Sequence, residues 1–310
     1  MGYVAGIGGA NMDINGRSDA AIVMRDSNPG TLRQSPGGVC RNICENLARL
    51  DVDVRLVTVL GDDMYGREIL NTCMDLGIDM SGTRVLRGER SSSYVSIVDD
   101  SGDMLLAMSD MHIIKRLDER LVDDSRELLC GAELVVCDGN LSQKTVARLT
   151  RVCDRPLYLD PVSTAWAKEL RPFIGAFDTV KPNRLELSAL TGMPTGTEGE
   201  LIAACDVLRK SGVRRVFVSL GADGMLYAGP EGTVRERGRP LSHVVNASGA
   251  GDAAMAGIIW ATRRGMDALS TVHAAMAAGM QAILSPDTVS QEMTQANLES
   301  TINLIKENGI

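Results

Sequence analysis

The chain has 310 residues, 44% of them hydrophobic and 23% charged, with a formal net charge of −8. That length is enough for one large α/β domain, or a large and a small one, around a real core. The negative balance argues against a general nucleic-acid or anionic-membrane binder. No charged-then-apolar leader opens the chain and no apolar run approaches bilayer length. Seven cysteines without a Cys-x-x-Cys pair point to reduced thiols, so the expected location is the cytoplasm.

Tyr3–Gly9 reads as a buried strand ending in glycines. Gly6-x-Gly8 suggests a dinucleotide fingerprint, but Asn11 stands where its third glycine belongs and no apolar helix follows. Asn11 and Asp13 are instead expected just past the carboxyl end of that strand, where open α/β sheets bind ligands. A carboxylate there can accept from two neighbouring sugar hydroxyls, although turn chemistry also favours both residue types. Residues 14–35 carry no helical pattern. They contain Ala20–Val23, an Asn28–Gly30 turn and Thr31–Gln34; a second strand pair, Ser93–Val98 and Met104–Met108, is joined through Asp99–Gly102, a strong hairpin signal. These pieces interrupt an alternating strand–helix pattern. They are assigned to a small β lid, about 14–35 and 91–111, inserted into a single domain spanning 1–310.

Between the lid pieces, Gly37–Gly38 precedes a helix whose apolar Ile43, Leu47 and Leu50 recur at helical spacing. Asn42 falls in its first turn, beside whatever the glycines admit. Cys40 and Cys44 lie one turn apart on it, and two buried thiols are the expected reading. Val52–Val59 is strand-like, and Gly61–Asp63 with Gly66 forms a turn before a helix around Arg67–Leu76. Leu134–Cys137 and Leu157–Val162 are further buried strands, with Asn140 and Asp160 at their ligand edges. After Val180–Lys181–Pro182, Asn183 and Glu186 sit three apart at a helix start. So placed they can hold waters of a hydrated Mg²⁺, or they form an ordinary capping box. Thr197-x-x-Glu200 is read as capping alone. Gly221 and Gly224 form a glycine turn after the strand that ends at Ser219.

Next comes Asn246–Asp252, which runs into the apolar helix that follows. Gly249 and Gly251 let the backbone turn tightly against a ligand, and the helix start offers unpaired N–H groups to an anion. Asp252 is the only acid at that mouth. It can take a proton from a hydroxyl that attacks phosphorus held by the loop, or simply meet the helix dipole. Residues 268–284 form an Ala- and Met-rich helix, small enough on one face for an adenine, and 297–306 form a closing surface helix. No Gly-x-x-x-x-Gly-Lys-[Ser/Thr] loop is present, which excludes a P-loop kinase.

Gly37–Gly38-x-x-x-Asn42 with Ala48–Leu50, and Ser248–Ala253, together resemble the two signatures of the PfkB (ribokinase-like) carbohydrate kinase family, across essentially the whole chain. The resemblance implies a three-layer α/β/α sandwich with a β-sheet lid, and transfer of the ATP γ-phosphoryl group to an alcohol. It implies Asp252 as base, with Gly249, Ala250 and Gly251 as the anion loop. Asn11, Asp13, Gly37, Gly38, Asn42 and Asn140 would contact the acceptor. Asn183, Ser219, Gly221, Gly224 and Gly251 would border the nucleotide, and Asp160 would lie near the metal and phosphates. Mg²⁺ would be held by Asn183 and, through water, Glu186; a K⁺ ion beside the loop is common in the family. The wording around Val39–Leu50, Asp103–Leu105 and Asn140–Ser142 is most similar to the branch acting on pseudouridine. A small nucleoside is therefore the expected partner, with its base read by Asp110, Ser91 or Ser93. Another sugar or nucleoside, or a non-catalytic sensor on the same fold, are the alternatives. A homodimer through the lid is a further expectation. The chain departs from the signatures at Ala247, where a Thr is common, and at Asp51, where Gly often ends the helix.

Overall fold

The structure, a computed structural model, describes residues 2–99, 104–238, 244–246 and 248–308. Residues 100–102 of the hairpin turn expected at Asp99–Gly102, with Asp103 and Ala247, lie outside the described residues. The strands in chain order are β1 (Val4–Ile7), β2 (Asn11–Ser18), β3 (Gly30–Gly37), β4 (Val54–Val57), β5 (Val59–Gly61), β6 (Arg84–Leu86) and β7 (Ser92–Val98), then β8 (Met104–Asp110), β9 (Leu134–Asp138), β10 (Leu157–Asp160), β11 (Thr179–Val180), β12 (Arg215–Ser219), β13 (Met225–Gly229) and β14 (Gly232–Glu236). The helices are α1 (Val39–Arg49), α2 (Met64–Asp75), α3 (Glu119–Asp124), α4 (Arg126–Gly131), α5 (Gln143–Val152) and α6 (Thr164–Leu170), followed by α7 (Arg184–Thr191), α8 (Glu198–Lys210), α9 (Ala250–Arg263), α10 (Ala268–Ile283) and α11 (Gln295–Asn308).

Eight strands form one sheet in the order β14-β13-β12-β11-β10-β9-β1-β4. It is parallel from β4 to β12 and antiparallel at β13 and β14. Its central strands are apolar on both faces, as a sheet covered on both sides requires. Val4, Leu56 and Val136 pack with Ile43, Leu47, Ile258 and Trp260 on one side. Ala5, Val135 and Leu159 pack with Val146, Leu187 and Leu201 on the other. The result is the three-layer sandwich expected from the sequence. The chain leaves β1 for β4 on one side and returns through β9 on the other, so the strand order reverses at β1. That switch point opens a crevice at the carboxyl ends of the strands.

A second sheet, β3-β2-β7-β8, stands beside the first. Asn11, Asp13 and Asn15 of β2 are in register with Ser92, Tyr94 and Ser96 of β7. Because strand side chains alternate, these residues share one polar face, while Met12, Ile14, Val95 and Ile97 share the other.

Three local expectations are corrected. Val52–Val59 is not one strand: β4 stops at Val57, and β5 pairs with β6 in a separate two-stranded sheet. Thr58 marks the break, its Oγ1 donating to the Gly8 carbonyl at 2.8 Å inside the core. Gly66 lies within α2 and not in a turn before it; Asp63 caps that helix by accepting from the Gly66 amide at 2.8 Å. Asn11 and Asp13 do come just past the carboxyl end of β1, as expected, and there they open β2 after a three-residue connection. The second sheet accordingly starts at Asn11 and runs to Gly37, wider than 14–35. Asp51 adopts φ 56° after α1, the left-handed geometry that glycine usually supplies at a helix end.

Candidate functional site

Four strands end in the crevice, and each delivers a charged or polar group. Asp138 and Asp160 are side by side at the ends of β9 and β10. Lys181 follows β11 and Ser219 closes β12. Asp138 is fully buried and acts as a bracket. Its Oδ2 accepts from the amides of Gly9 (2.9 Å) and Cys40 (3.0 Å), and its Oδ1 from that of Asn140 (3.0 Å). One carboxylate thus ties the turn after β1, the start of α1 and the turn after β9. Burial raises its pKa, although those amides pull the other way.

The approach to α1 is tight. Gly38 has φ 100°, and an added Cβ would sit 2.6 Å from the Gly9 carbonyl oxygen. Only glycine holds that left-handed position without strain. Gly37 pairs with Asn11 across β2 and β3, and a side chain there would overlap the Asp13 carboxylate. Asn11 Nδ2 donates to Asp13 Oδ1 at 2.6 Å. Burial raises the Asp13 pKa, with the Asn11 bond and the Arg41 charge opposing it. Asn140 packs against Gly9, and its Nδ2 lies 3.0 Å from where a Cβ of that glycine would be. The six residues expected at the acceptor therefore meet in one place.

α9 approaches the same place from residues far along the chain. Gly249 caps it in the left-handed region, φ 78°, where an added Cβ would overlap the Thr288 carbonyl. The first amides of α9 have no carbonyl upstream within the helix, and Asp252 stands in that turn. Asn42 Nδ2 donates to Asp252 Oδ2 at 2.8 Å, joining residues 210 apart in sequence. Asp252 is 8% exposed. Burial, then the neighbouring Asp160 charge, push its pKa up to about 7, while the Asn42 bond and Lys181 resist.

Lys181 is the cation of the crevice. Its Nζ is 3.0 Å from Asp160 Oδ2 and both side chains are buried. Burial works against the lysine charge, but Asp160, Glu186 and Asp252 outweigh it and hold its pKa above the ordinary value. The Val162 amide also donates to Asp160, at 3.0 Å. Val162 itself adopts φ 67°, a conformation that a β-branched residue rarely tolerates. Neither Asp138 nor Lys181 was singled out from the sequence. The signal was there: an acid and a lysine directly ending apolar strands have no reason to be buried without partners.

Asn183 and Glu186 do form a capping box: Asn183 Oδ1 accepts from the Glu186 amide at 2.9 Å, and Glu186 Oε2 from the Asn183 amide at 2.8 Å. Glu186 is nonetheless buried, and desolvation followed by the Asp160 charge raises its pKa. Asp160, Glu186 and Asp252 thus share one ammonium. That excess of negative charge fits a divalent cation arriving with phosphates. No three His, Cys, Asp or Glu side chains converge to cage a metal among the described residues. The fit is therefore to a hydrated ion bound through waters and ligand oxygens, the habit of Mg²⁺.

On the other side of the α9 start lies a cavity of about 460 Å³. Asn183, Ser219, Gly221, Gly224 and Gly251 line it, and its wall is the small-residue face of α10, with Ala275 and Gly279. Of the residues expected to read a base, Ser91 is already committed: its Oγ donates to Asp63 Oδ1 at 2.7 Å and accepts from the Gly61 amide at 2.9 Å. Ser93 and Asp110 pair across β7 and β8.

Comparison with known proteins agrees with this layout. The model of the pfkB family of carbohydrate kinases matches residues 1–295. The chain is 32% identical to the pseudouridine kinase of Escherichia coli over 97% of its own length and 96% of that protein's. A carbohydrate kinase from Agrobacterium tumefaciens superposes with a TM-score of 0.84 at 26% identity, covering 98% of both chains. The Arabidopsis thaliana ribokinase solved with ribose and ATP superposes with a TM-score of 0.86 at 21% identity, over 97% of this chain and 98% of that one, which speaks to the fold. The chain belongs to the pfkB family of carbohydrate kinases and is a phosphotransferase whose acceptor is an alcohol group.

Proposed function

We propose that the protein moves the γ-phosphoryl group of ATP to the 5′-hydroxyl of pseudouridine. The observation that carries the reading is the Asn42–Asp252 hydrogen bond. It joins the first turn of α1, which follows directly on the end of the small sheet, to the open amides of α9, with the cavity walled by α10 on the far side. ATP would occupy that cavity, its terminal phosphate directed at Gly249–Asp252. Mg²⁺ would sit with the phosphates near Asn183 and Glu186, and its bound form supplies charge neutralisation.

Asn11, Asp13, Gly37, Gly38, Asn42 and Asn140 hold the ribose so that its 5′-hydroxyl faces Asp252. Asp252 accepts the hydroxyl proton as the bond to phosphorus forms. With a pKa near 7, its ionised form is half populated near neutrality, and it is a stronger base than an exposed aspartate. The amides of Gly249, Ala250 and Gly251 bind oxygens of the transferring group, an interaction worth about 3 kcal/mol per donor in comparable sites. Lys181, paired with Asp160, keeps the acidic crevice from repelling the phosphates. The small sheet acts as a lid that excludes water. Its edge strand β8 carries exposed Met104, Leu105, Leu106 and Met108, a surface suited to pairing with a second copy.

The nucleoside choice is supported by the similarity to the Escherichia coli pseudouridine kinase. Its test is ATP consumption over pseudouridine, uridine, inosine, ribose and other sugars, with Na⁺ replacing K⁺ in a parallel series. Pseudouridine is expected to lead, and to exceed uridine by about 10⁴-fold if a hydrogen bond reads its extra N–H. Equal efficiency for the two, or a faster sugar, would replace this acceptor. No turnover with any of them would place the acceptor outside this panel.

A further inference from the structure

Arg41 is a large buried charged side chain in this region that the chemistry above leaves without a task. It is 2% exposed and stands next to Asn42 in the first turn of α1. A guanidinium cannot shed its charge, so its burial requires a built environment. Its Nη2 pairs with Glu45, one turn along. Its Nη1 donates to the Pro36 carbonyl at 2.7 Å and to Asn42 Oδ1 at 2.8 Å. Pro36 belongs to β3, so the same nitrogen grips the small sheet and the asparagine that touches Asp252.

The asparagine is thereby locked one way round. With Oδ1 held by the guanidinium, only Nδ2 can face Asp252, and it does so at 2.8 Å. The flipped amide would set its oxygen against a carboxylate and its NH₂ against a cation. Glu45 is braced in turn: its Oε1 accepts from Arg49 Nε at 2.9 Å, and Arg49 reaches Gln291 Oε1 at 2.8 Å. Gln291 lies three residues past Thr288, whose carbonyl backs Gly249. The string therefore runs from the segment behind the anion loop, through Arg41, to both the lid strand and Asp252. A buried Arg–Glu pair is a poor source of stability compared with apolar side chains of similar volume. Its value here is geometric.

We propose that Arg41 is a positioning residue for phosphoryl transfer: its fork fixes the Asn42 amide and the end of β3 in one arrangement, so that the acceptor hydroxyl and Asp252 are aligned when the lid is closed. This rests on the reading of Asp252 as the base. Arg41→Lys keeps the charge and the pairing with Glu45 but replaces the planar fork with a point donor. With ATP and pseudouridine, or the nucleoside that the panel ranks first, kcat is expected to fall by about tenfold or more, since sub-ångström misplacement of reacting groups is that costly. The KM for ATP, whose cavity Arg41 does not line, should change by less than about twofold, with one ATP still bound per chain by calorimetry. In an Asn42→Ala background the same replacement should lower kcat by clearly less than it does in the natural enzyme, because one of the two groups Arg41 positions is already gone.

A folded Arg41→Lys enzyme with unchanged kcat overturns the proposal, as does a loss that persists undiminished in the Asn42→Ala background. If Arg41→Lys does not fold, Glu45→Gln with Arg41 intact takes its place, and the same dependence on Asn42 is required of it. Near-normal turnover of Asp252→Asn would instead remove the base itself, a failure separate from that of Arg41.

Discussion

Asp252→Asn tests the electrostatics of the site twice, once through turnover and once through stability. Asn is nearly isosteric and its side-chain oxygen can still accept from Asn42 Nδ2, so the packing around α9 is kept. The carboxyl it replaces has its pKa raised from an ordinary 3.8 to about 7, by burial first and by Asp160 second. At about 1.36 kcal/mol per pH unit, that gap corresponds to up to ~4 kcal/mol of penalty for carrying the charge in the folded chain. The sign follows from proton linkage. Between about pH 4 and pH 7 the folded chain holds a proton at this position that the unfolded chain has lost. The stability contributed here therefore falls as pH rises through that window and is flat above it. The asparagine carries no such penalty. At pH 8 the variant should melt about 5–10 °C above the natural protein, and the difference should shrink towards pH 5. Turnover should move the opposite way, down by about 10²–10⁴-fold, the usual worth of a general base. ATP binding should persist, and the acid limb of kcat/KM in the natural enzyme should lie near pH 7. Chemical denaturation across pH 5–8, paired with steady-state kinetics, reads all of this. An acid limb below pH 5, or equal stability of the two proteins at pH 8, would refute the idea that burial tunes this carboxyl.

Two further outcomes concern the loop and the lid. Gly249→Ala forces a Cβ onto the Thr288 carbonyl at φ 78°; strain of about 1–3 kcal/mol should appear as a lower melting temperature, with phosphoryl transfer lost even where the variant is folded at the assay temperature. Wild-type melting and turnover would show that the α9 cap is not under this constraint. If the apolar β8 edge pairs with a second copy, sedimentation should give a dimer that Met108→Lys and Leu106→Lys together convert to monomer. A single monomeric species for the natural chain would end that proposal.

The sandwich was legible in the sequence because both-face burial makes each central strand an unbroken apolar run, and the glycines clustered at Gly37–Gly38 and Gly249–Gly251 marked the two helix entries, where Gly38 and Gly249 hold left-handed backbone. The family signatures then pointed to the residues that meet in the crevice. Asn42 and Asp252 were each readable, but that one donates to the other depends on α1 and α9 packing side by side, a contact between segments 210 residues apart. Local pattern could not reveal the raised pKa of Asp252, which arises from desolvation and from Asp160 on another strand. Nor could it assign Asp138, Lys181 or Arg41. Each looks like an ordinary strand-end or helix charge until folding removes water from around it and leaves its partners as the only source of compensation. Residue chemistry and spacing decided the layers and the glycine turn that opens α9. Burial, which exists only once the layers close, decided which charges matter and how strongly they act.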